Sequence, residues 1–108
     1  MKESLSEAVY EIVRLIPRGR ATSYGAIAKA VGYPNQSRMI GRIMGECPSK
    51  DIPAHRVVNS QGLLSGKDCF ETPTLMQELL SAEDVIVNNN KIQNWKTIFW
   101  NPIEELDF

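Results

Sequence analysis

Few side chains in this sequence could do chemistry, and they cluster around one stretch. Histidine occurs once, in Ile52-Pro53-Ala54-His55-Arg56-Val57-Val58-Asn59. Pro53 restricts the backbone just ahead of it, and an imidazole so placed can serve as a base, a ligand or a hydrogen-bonded strut. From the spacing alone the third role is the default, because neither Pro53 nor Ala54 carries a reactive atom. The two cysteines, Cys47 and Cys69, show no CxxC or Cys/His cluster spacing. That pattern suggests neither a metal site nor a disulfide framework, and both are expected to be reduced structural thiols. No metal and no cofactor are expected. The remaining chemistry is cationic. Arg38 and Arg42 stand one turn apart in a segment that also holds Ser37, Gly41 and Gly45 at i, i+4 and i+8. Each interior glycine costs a helix about 1 kcal/mol relative to alanine. A stripe poor in side chains therefore has to be explained by close approach of another surface, either a protein element or a nucleic-acid groove. Spacing does not separate the two.

The chain that must position these groups has 108 residues and a net charge of −1. This is room for one domain, expected over residues 1–108, with about two-thirds of the unfolded surface buried. No run approaches the ~20 apolar residues of a membrane span, and Glu3 and Glu7 stand where a signal peptide would be basic and then apolar. The expectation is a cytoplasmic protein. The charge is segregated, with +5 over residues 1–67 and −6 over residues 68–108. A local basic face is what counterion release from phosphates requires, whatever the global charge.

Leu5, Ala8, Val9, Ile12 and Ile16 recur at helical spacing, Ser4 and Glu7 form a capping box, and Pro17 stops the segment. Ser23 caps a short helix bearing Tyr24, Ile27, Ala28 and Val31 on one face, and Gly32 ends it. Asn35 is the expected cap of the next helix, 36–45, with Met39, Ile40, Ile43 and Met44 on one side and Ser37, Arg38, Gly41, Arg42 and Gly45 on the other. Two short helices joined by a tight turn read as a helix-turn-helix, with 36–45 as the recognition helix. Val57-Val58 and Leu63-Leu64 flank Asn59-Ser60-Gln61-Gly62 as a strand-turn-strand wing, followed by a mobile loop at Ser65-Gly66-Lys67-Asp68. Thr72-Pro73 should start a helix through Leu75, Met76, Leu79 and Leu80 with the proline at its first position. Val85–Val87 and Lys91–Gln93 should form a hairpin around three asparagines. Trp95, Phe99 and Trp100 are expected to cover the core ahead of an acidic tail.

The Pro53-Ala54-His55-Arg56-Val57 stretch resembles the Pro-Cys-His-Arg-Val signature of the O6-alkylguanine-DNA alkyltransferases, with alanine where the alkyl-accepting cysteine belongs. Together with Thr22-Ser23-Tyr24-Gly25 and Ser37-Arg38-Met39-Ile40-Gly41, it makes the chain similar to the alkyltransferase-like proteins over most of residues 5–92. The resemblance implies an α+β, winged-helix-like domain with a helix-turn-helix. It also implies a non-enzyme that flips O6-alkylguanine out of double-stranded DNA without repairing it, marking it for nucleotide excision repair proteins and denying it to alkyltransferases. A sequence-specific winged-helix regulator and a residual transferase using displaced Cys47 are the alternatives. By this resemblance Arg38 fills the space the base vacates and Tyr24 helps to rotate the 3′ phosphate, although spacing alone places Tyr24 in the core. The expected DNA- and lesion-binding set is Tyr24, Ser37, Arg38, Gly41, Arg42, Pro53, Ala54, His55, Asn59, Ser65 and Lys67. Arg56 and Glu83 are structural parts of the motif, Glu83 matching the family's relay glutamate. Two departures stand out. Lys67 replaces an arginine that could stack on the extruded base, which an ammonium cannot do in the same way, and Cys47 replaces a hydrogen-bonding asparagine. A monomer is expected, associated with the nucleoid through DNA.

Overall fold

The computed structural model describes residues 4–46 and 51–105. The first helix, α1 (Leu5–Arg14), begins where Ser4 Oγ accepts from the Glu7 N–H. It buries Val9, Ile12 and Val13 as its apolar spacing requires. A two-residue strand, β1 (Thr22–Ser23), leads directly into α2 (Tyr24–Ala30), because the Ser23 hydroxyl ends the strand by capping the Ala26 N–H. Gly32, at φ +90°, turns the chain, and α3 (Ser37–Met44) packs across α2 to complete the helix-turn-helix. The N-cap of α3 is Gln36, which makes no side-chain capping bond, so Asn35 is not the cap that the sequence pattern suggested. Ile40, Ile43 and Met44 are buried while Ser37, Arg38 and Arg42 face outward, as their spacing dictates.

Residues Ala54–Arg56 form a 3-10 turn that feeds β2 (Val57–Val58). This strand does not pair with Leu63-Leu64 as the expected wing. It runs parallel to β1, with Thr22 opposite Val57 and Ser23 opposite Val58, while Leu63 bridges to Lys91. The turn between survives on its own bonds: Asn59 Oδ1 accepts from the N–H groups of Gln61 and Leu63 at 2.9 Å each. An asparagine that closes a turn with its own side chain needs no partner strand. The next loop contains a 3-10 turn, Lys67–Cys69. Helix α4 (Leu75–Ser81) starts after Thr74, two residues later than a proline at the first helical position would place it. The hairpin does form, as β3 (Val87–Asn88) against β4 (Lys91–Ile92), with Asn89 and Asn90 both at positive φ as a tight two-residue turn demands. Short helices α5 (Trp95–Ile98) and α6 (Pro102–Glu105) close the described chain.

The interior divides in two. One cluster gathers α1, the inner faces of α2 and α3, Val57 and Trp100, and the other holds Val58, Leu64, Met76, Leu80, Val85 and Ile92. Adjacent residues of β2 point to opposite sides, so Val57 and Val58 tie the two clusters together. Trp100 is core, as expected, whereas Trp95 and Phe99 are half-buried and meet ring to ring at 5.3 Å. The fold is α+β, with no described helix long and apolar enough to cross a membrane.

Candidate functional site

Glu83 is the anchor of the organising stretch. Its side chain is 6% exposed and lies 2.7 Å from His55 Nε2. The Arg56 guanidinium donates to it from Nε at 3.0 Å and from Nη2 at 2.8 Å, and the Gly19 N–H donates at 3.0 Å. Arg56 Nη1 also reaches the Ile16 carbonyl at 2.8 Å. One carboxylate thus ties the turn after α1, the 54–56 turn and the end of α4 into one unit. Burial opposes ionisation of Glu83, but hydrogen bonds from Arg56, Gly19 and His55 outweigh it and lower its pKa from the ordinary 4.5 to about 2. A carboxylate depressed in the fold stabilises it fully above the unfolded value and progressively less as pH falls through the folded one. We therefore expect thermal stability to drop between about pH 4.5 and 2. Charge-deleted Glu83→Gln should flatten that part of the profile, although Glu105, lowered by its hydrogen bonds from Arg20, leaves a smaller acid response. Melting curves across that range are the check.

Beside this network lies a cavity of about 250 Å³. Ala54 lines it, with Tyr24 from α2, Gly41, Met44 and Gly45 from α3, Val57 from β2, and Ser65, Gly66, Cys69 and Phe70 from the following loop. The Tyr24 and Ser65 hydroxyls are 3.3 Å apart. A Cβ on Gly66 would come within 3.1 Å of the Tyr24 hydroxyl, so any larger residue there would press the Tyr24 side chain aside by a few tenths of an ångström. Lys67 is not part of the wall, nor are Pro53, His55 or Asn59. His55 turns its Nε2 toward Glu83 and Asn59 spends its side chain on its own turn. The expected binding set lacked Met44, Gly45, Val57, Gly66, Cys69 and Phe70 of the wall. The available signal for the last was an aromatic residue three positions beyond Lys67, one 3-10 turn away. Cys69 is disulfide-bonded, which corrects the expectation of a reduced thiol at that position; Cys47 lies outside the described residues.

The outer face of α3 borders the same cavity. A Cβ added to Gly41 would meet nothing within 4 Å. Among the described residues no neighbour explains this glycine, and the close approach inferred from the stripe is open to another surface. The arginines divide in the same sense. Arg14 pairs with Asp51, Arg18 donates to the Ala82 carbonyl, Arg20 grips Glu105 and the carbonyls of Ile98 and Phe99, and Arg56 holds Glu83. Arg38 and Arg42 are exposed and enter no ion pair among the described residues. Two uncommitted guanidiniums on a helix face thinned by glycine, beside a cavity, can meet a polyanion and something projecting from it.

Comparison with known proteins agrees with this geometry. Residues 4–85 match the profile of the 6-O-methylguanine DNA methyltransferase DNA-binding domain. Alkyltransferase-like protein 1 of Schizosaccharomyces pombe is 32% identical over 99 residues, covering 87% of this chain and 92% of that one. A DNA base-flipping protein of Vibrio parahaemolyticus is 40% identical over 97 residues, 87% of this chain and 93% of its own. The crystal structure of S. pombe Atl1 in complex with damaged DNA containing O6-carboxymethylguanine superposes with a TM-score of 0.80 at 30% identity, over 94% of this chain and all of the other. The chain belongs to the family of the 6-O-methylguanine DNA methyltransferase DNA-binding domain, among its alkyltransferase-like members.

Proposed function

We propose that this protein binds O6-alkylguanine in double-stranded DNA by rotating the damaged nucleotide into the cavity beside α3, and leaves the alkyl group where it is. The observation that carries the reading is Ala54. It stands in the cavity wall next to a hydrogen-bonded His55–Glu83 pair, the arrangement that would activate a nucleophile, and its methyl group is not one. The relatives support the rest, being base-flipping and alkyltransferase-like proteins by name and, for S. pombe Atl1, bound to damaged DNA. The altered edge of guanine faces its pairing partner inside the duplex, so a protein that reads it has to extrude the nucleotide, at a cost of a few kcal/mol that a damaged pair partly lowers. Arg38 is the group placed to fill the gap, Ser37, Gly41 and Arg42 complete the approaching face, and Tyr24 stands where α2 meets the pocket loop. Pro53 and Lys67 adjoin the wall residues Ala54 and Gly66 in the chain, and Asn59 closes the turn after β2.

Binding without turnover makes the protein a marker. The complex would hide the lesion from an alkyltransferase and present a distorted, protein-bound site to nucleotide excision repair proteins. The protein would act as a cytoplasmic monomer without cofactor.

The test is a titration of one duplex with and without a single O6-methylguanine, followed by intact-mass measurement after long incubation. We expect preference for the modified duplex, no gain of a CH2 on the protein, and O6-methylguanine still present in the DNA. Restored guanine together with an alkylated protein would refute the non-enzymatic reading, including its variant with a displaced cysteine. Equal binding of both duplexes, with preference for one undamaged sequence, would make the protein a winged-helix regulator instead.

A further inference from the structure

The loop that meets Tyr24 is anchored by a part of the chain beyond residues 4–85, the stretch matched to the DNA-binding domain. Trp95 lays its indole on Gly62, which is buried and at φ +81°, so that a Cβ there would come within 3.1 Å of Cδ2 and 3.3 Å of Cε3. Its Nε1–H donates to the Ser60 carbonyl at 3.1 Å. One side chain thus holds the turn 59–62 by contact and by hydrogen bond. The chain leaves that turn along the β3–β4 hairpin, with the Ile92 N–H donating to the Gly62 carbonyl at 2.9 Å and the Leu64 N–H to the Asn90 carbonyl at 3.0 Å. Its next two residues are Ser65 and Gly66, which meet the Tyr24 hydroxyl.

The other side of that meeting is held from the same segment. Tyr24 opens α2 directly after β1. Just ahead of β1, the Ala21 N–H donates to the Ile98 carbonyl at 3.2 Å and the Ala21 carbonyl accepts from the Trp100 N–H at 2.8 Å. Arg20 donates to the carbonyls of Ile98 and Phe99 and, from Nη1 and Nη2, to the two carboxylate oxygens of Glu105 at 3.1 and 2.9 Å. Trp95 and Ile98 are the two ends of α5, a single turn. Trp95 packs against the second core cluster and Trp100 lies within the first. A short element fixed at both ends in close-packed surroundings transmits position from one end to the other.

We propose that residues 95–105 form a brace that sets the pocket loop against α2, with Trp95 and Glu105 as positioning residues for lesion recognition although neither lines the cavity. The proposal rests on the lesion-binding reading above. Undamaged DNA bound along α3 keeps its bases stacked and does not sense where Ser65 and Gly66 stand. An extruded nucleotide enters the space that loop and helix enclose, and does. Releasing either end of the brace adds the ordering of the loop to the cost of binding, and that cost falls on the lesion complex alone.

The experiment titrates duplexes carrying guanine or O6-methylguanine at one position and follows the ratio of the two affinities. The proteins are the wild type, Trp95→Phe, Trp95→Ala, Glu105→Gln and the double variant that combines Trp95→Ala with Glu105→Gln. Trp95→Ala should lower the ratio about tenfold and Glu105→Gln about threefold, with affinity for the guanine duplex within about twofold of the wild type. Trp95→Phe keeps an aromatic face for Gly62 and loses the bond to Ser60, so its ratio should fall between those of the wild type and Trp95→Ala. The ends of one brace are not independent, since releasing either frees the loop. The double variant should therefore lose about tenfold, where independent sites would multiply to about thirtyfold. The ratio is taken within each variant, so a partly unfolded preparation does not alter it. A wild-type ratio in Trp95→Ala, whatever its Tm, would reduce the segment to a structural role and overturn the proposal, as would a multiplicative double variant. A wild type that does not prefer O6-methylguanine to guanine would instead overturn the lesion-binding reading beneath it.

Discussion

Arg38→Ala should bind a duplex containing O6-methylguanine only marginally better than the unmodified duplex, whereas Arg42→Ala should weaken both about equally and keep the preference. The two side chains are one turn apart on α3, both exposed and both outside every ion pair of the described residues. Simple electrostatics gives them the same task. Position separates them, because Arg38 lies in the first turn of the helix and Arg42 in the last. A guanidinium that only neutralises a phosphate contributes to every sequence alike, and losing it lowers the salt slope by about one unit. A guanidinium that occupies the space of an extruded base stabilises the flipped state alone. Its removal leaves unstacking of a few kcal/mol without compensation, which amounts to about a hundredfold in lesion preference. Titrations of both duplexes at two salt concentrations distinguish the two cases. If both variants lose affinity in parallel and keep full discrimination, Arg38 is a phosphate contact and the flipping role belongs to another residue.

Glu83→Ala should be the most destabilising single substitution at the site. Its carboxylate is shared by Arg56, His55 and the Gly19 N–H, and all three would be left facing a hole. The Arg56 side chain is 16% exposed, so water can hardly replace the lost partner. Removing one member of a buried ion pair costs about 3–5 kcal/mol, which for a domain of this size lowers Tm by roughly 10–25 °C. Calorimetry or a denaturant titration would measure it. His55→Ala, which leaves the Arg56–Glu83 pair intact, should cost less than half as much. Loss of under 1 kcal/mol in Glu83→Ala would mean that the network orders the turn without stabilising the fold, as some buried pairs do. The two predictions are independent, since Arg38 is exposed on α3 and shares no bond with the Glu83 network. The first should change recognition with Tm unmoved, and the second should change Tm first.

Local rules decided a large part of this molecule. The hydroxyls of Ser4 and Ser23 cap the helices that follow them. Ile40, Ile43 and Met44 are buried on α3 because helical spacing leaves them only one side to share. Paired asparagines at positive φ turn the β3–β4 hairpin. Such choices rest on bonds within a few residues, and a sequence states them directly. The Pro53–Val57 stretch, with Thr22–Gly25 and Ser37–Gly41, likewise indicated the family.

Other features needed chain segments that no spacing connects. Val57-Val58 alternates as well for a hairpin as for a parallel pair, and only the arrival of Thr22-Ser23 from 35 positions earlier settled the choice in favour of β1. Helix α4 starts later than Pro73 suggested, since a favourable first-turn residue permits a helix start without compelling one. Arg38 and Arg56 are equally cationic in the sequence, and what distinguishes them is that Arg56 finds Glu83, 27 residues away. The cavity is the furthest from sequence logic. Its wall draws on α2, α3, Ala54, β2 and the loop 65–70, and packing between separate segments is a property of the assembled chain alone.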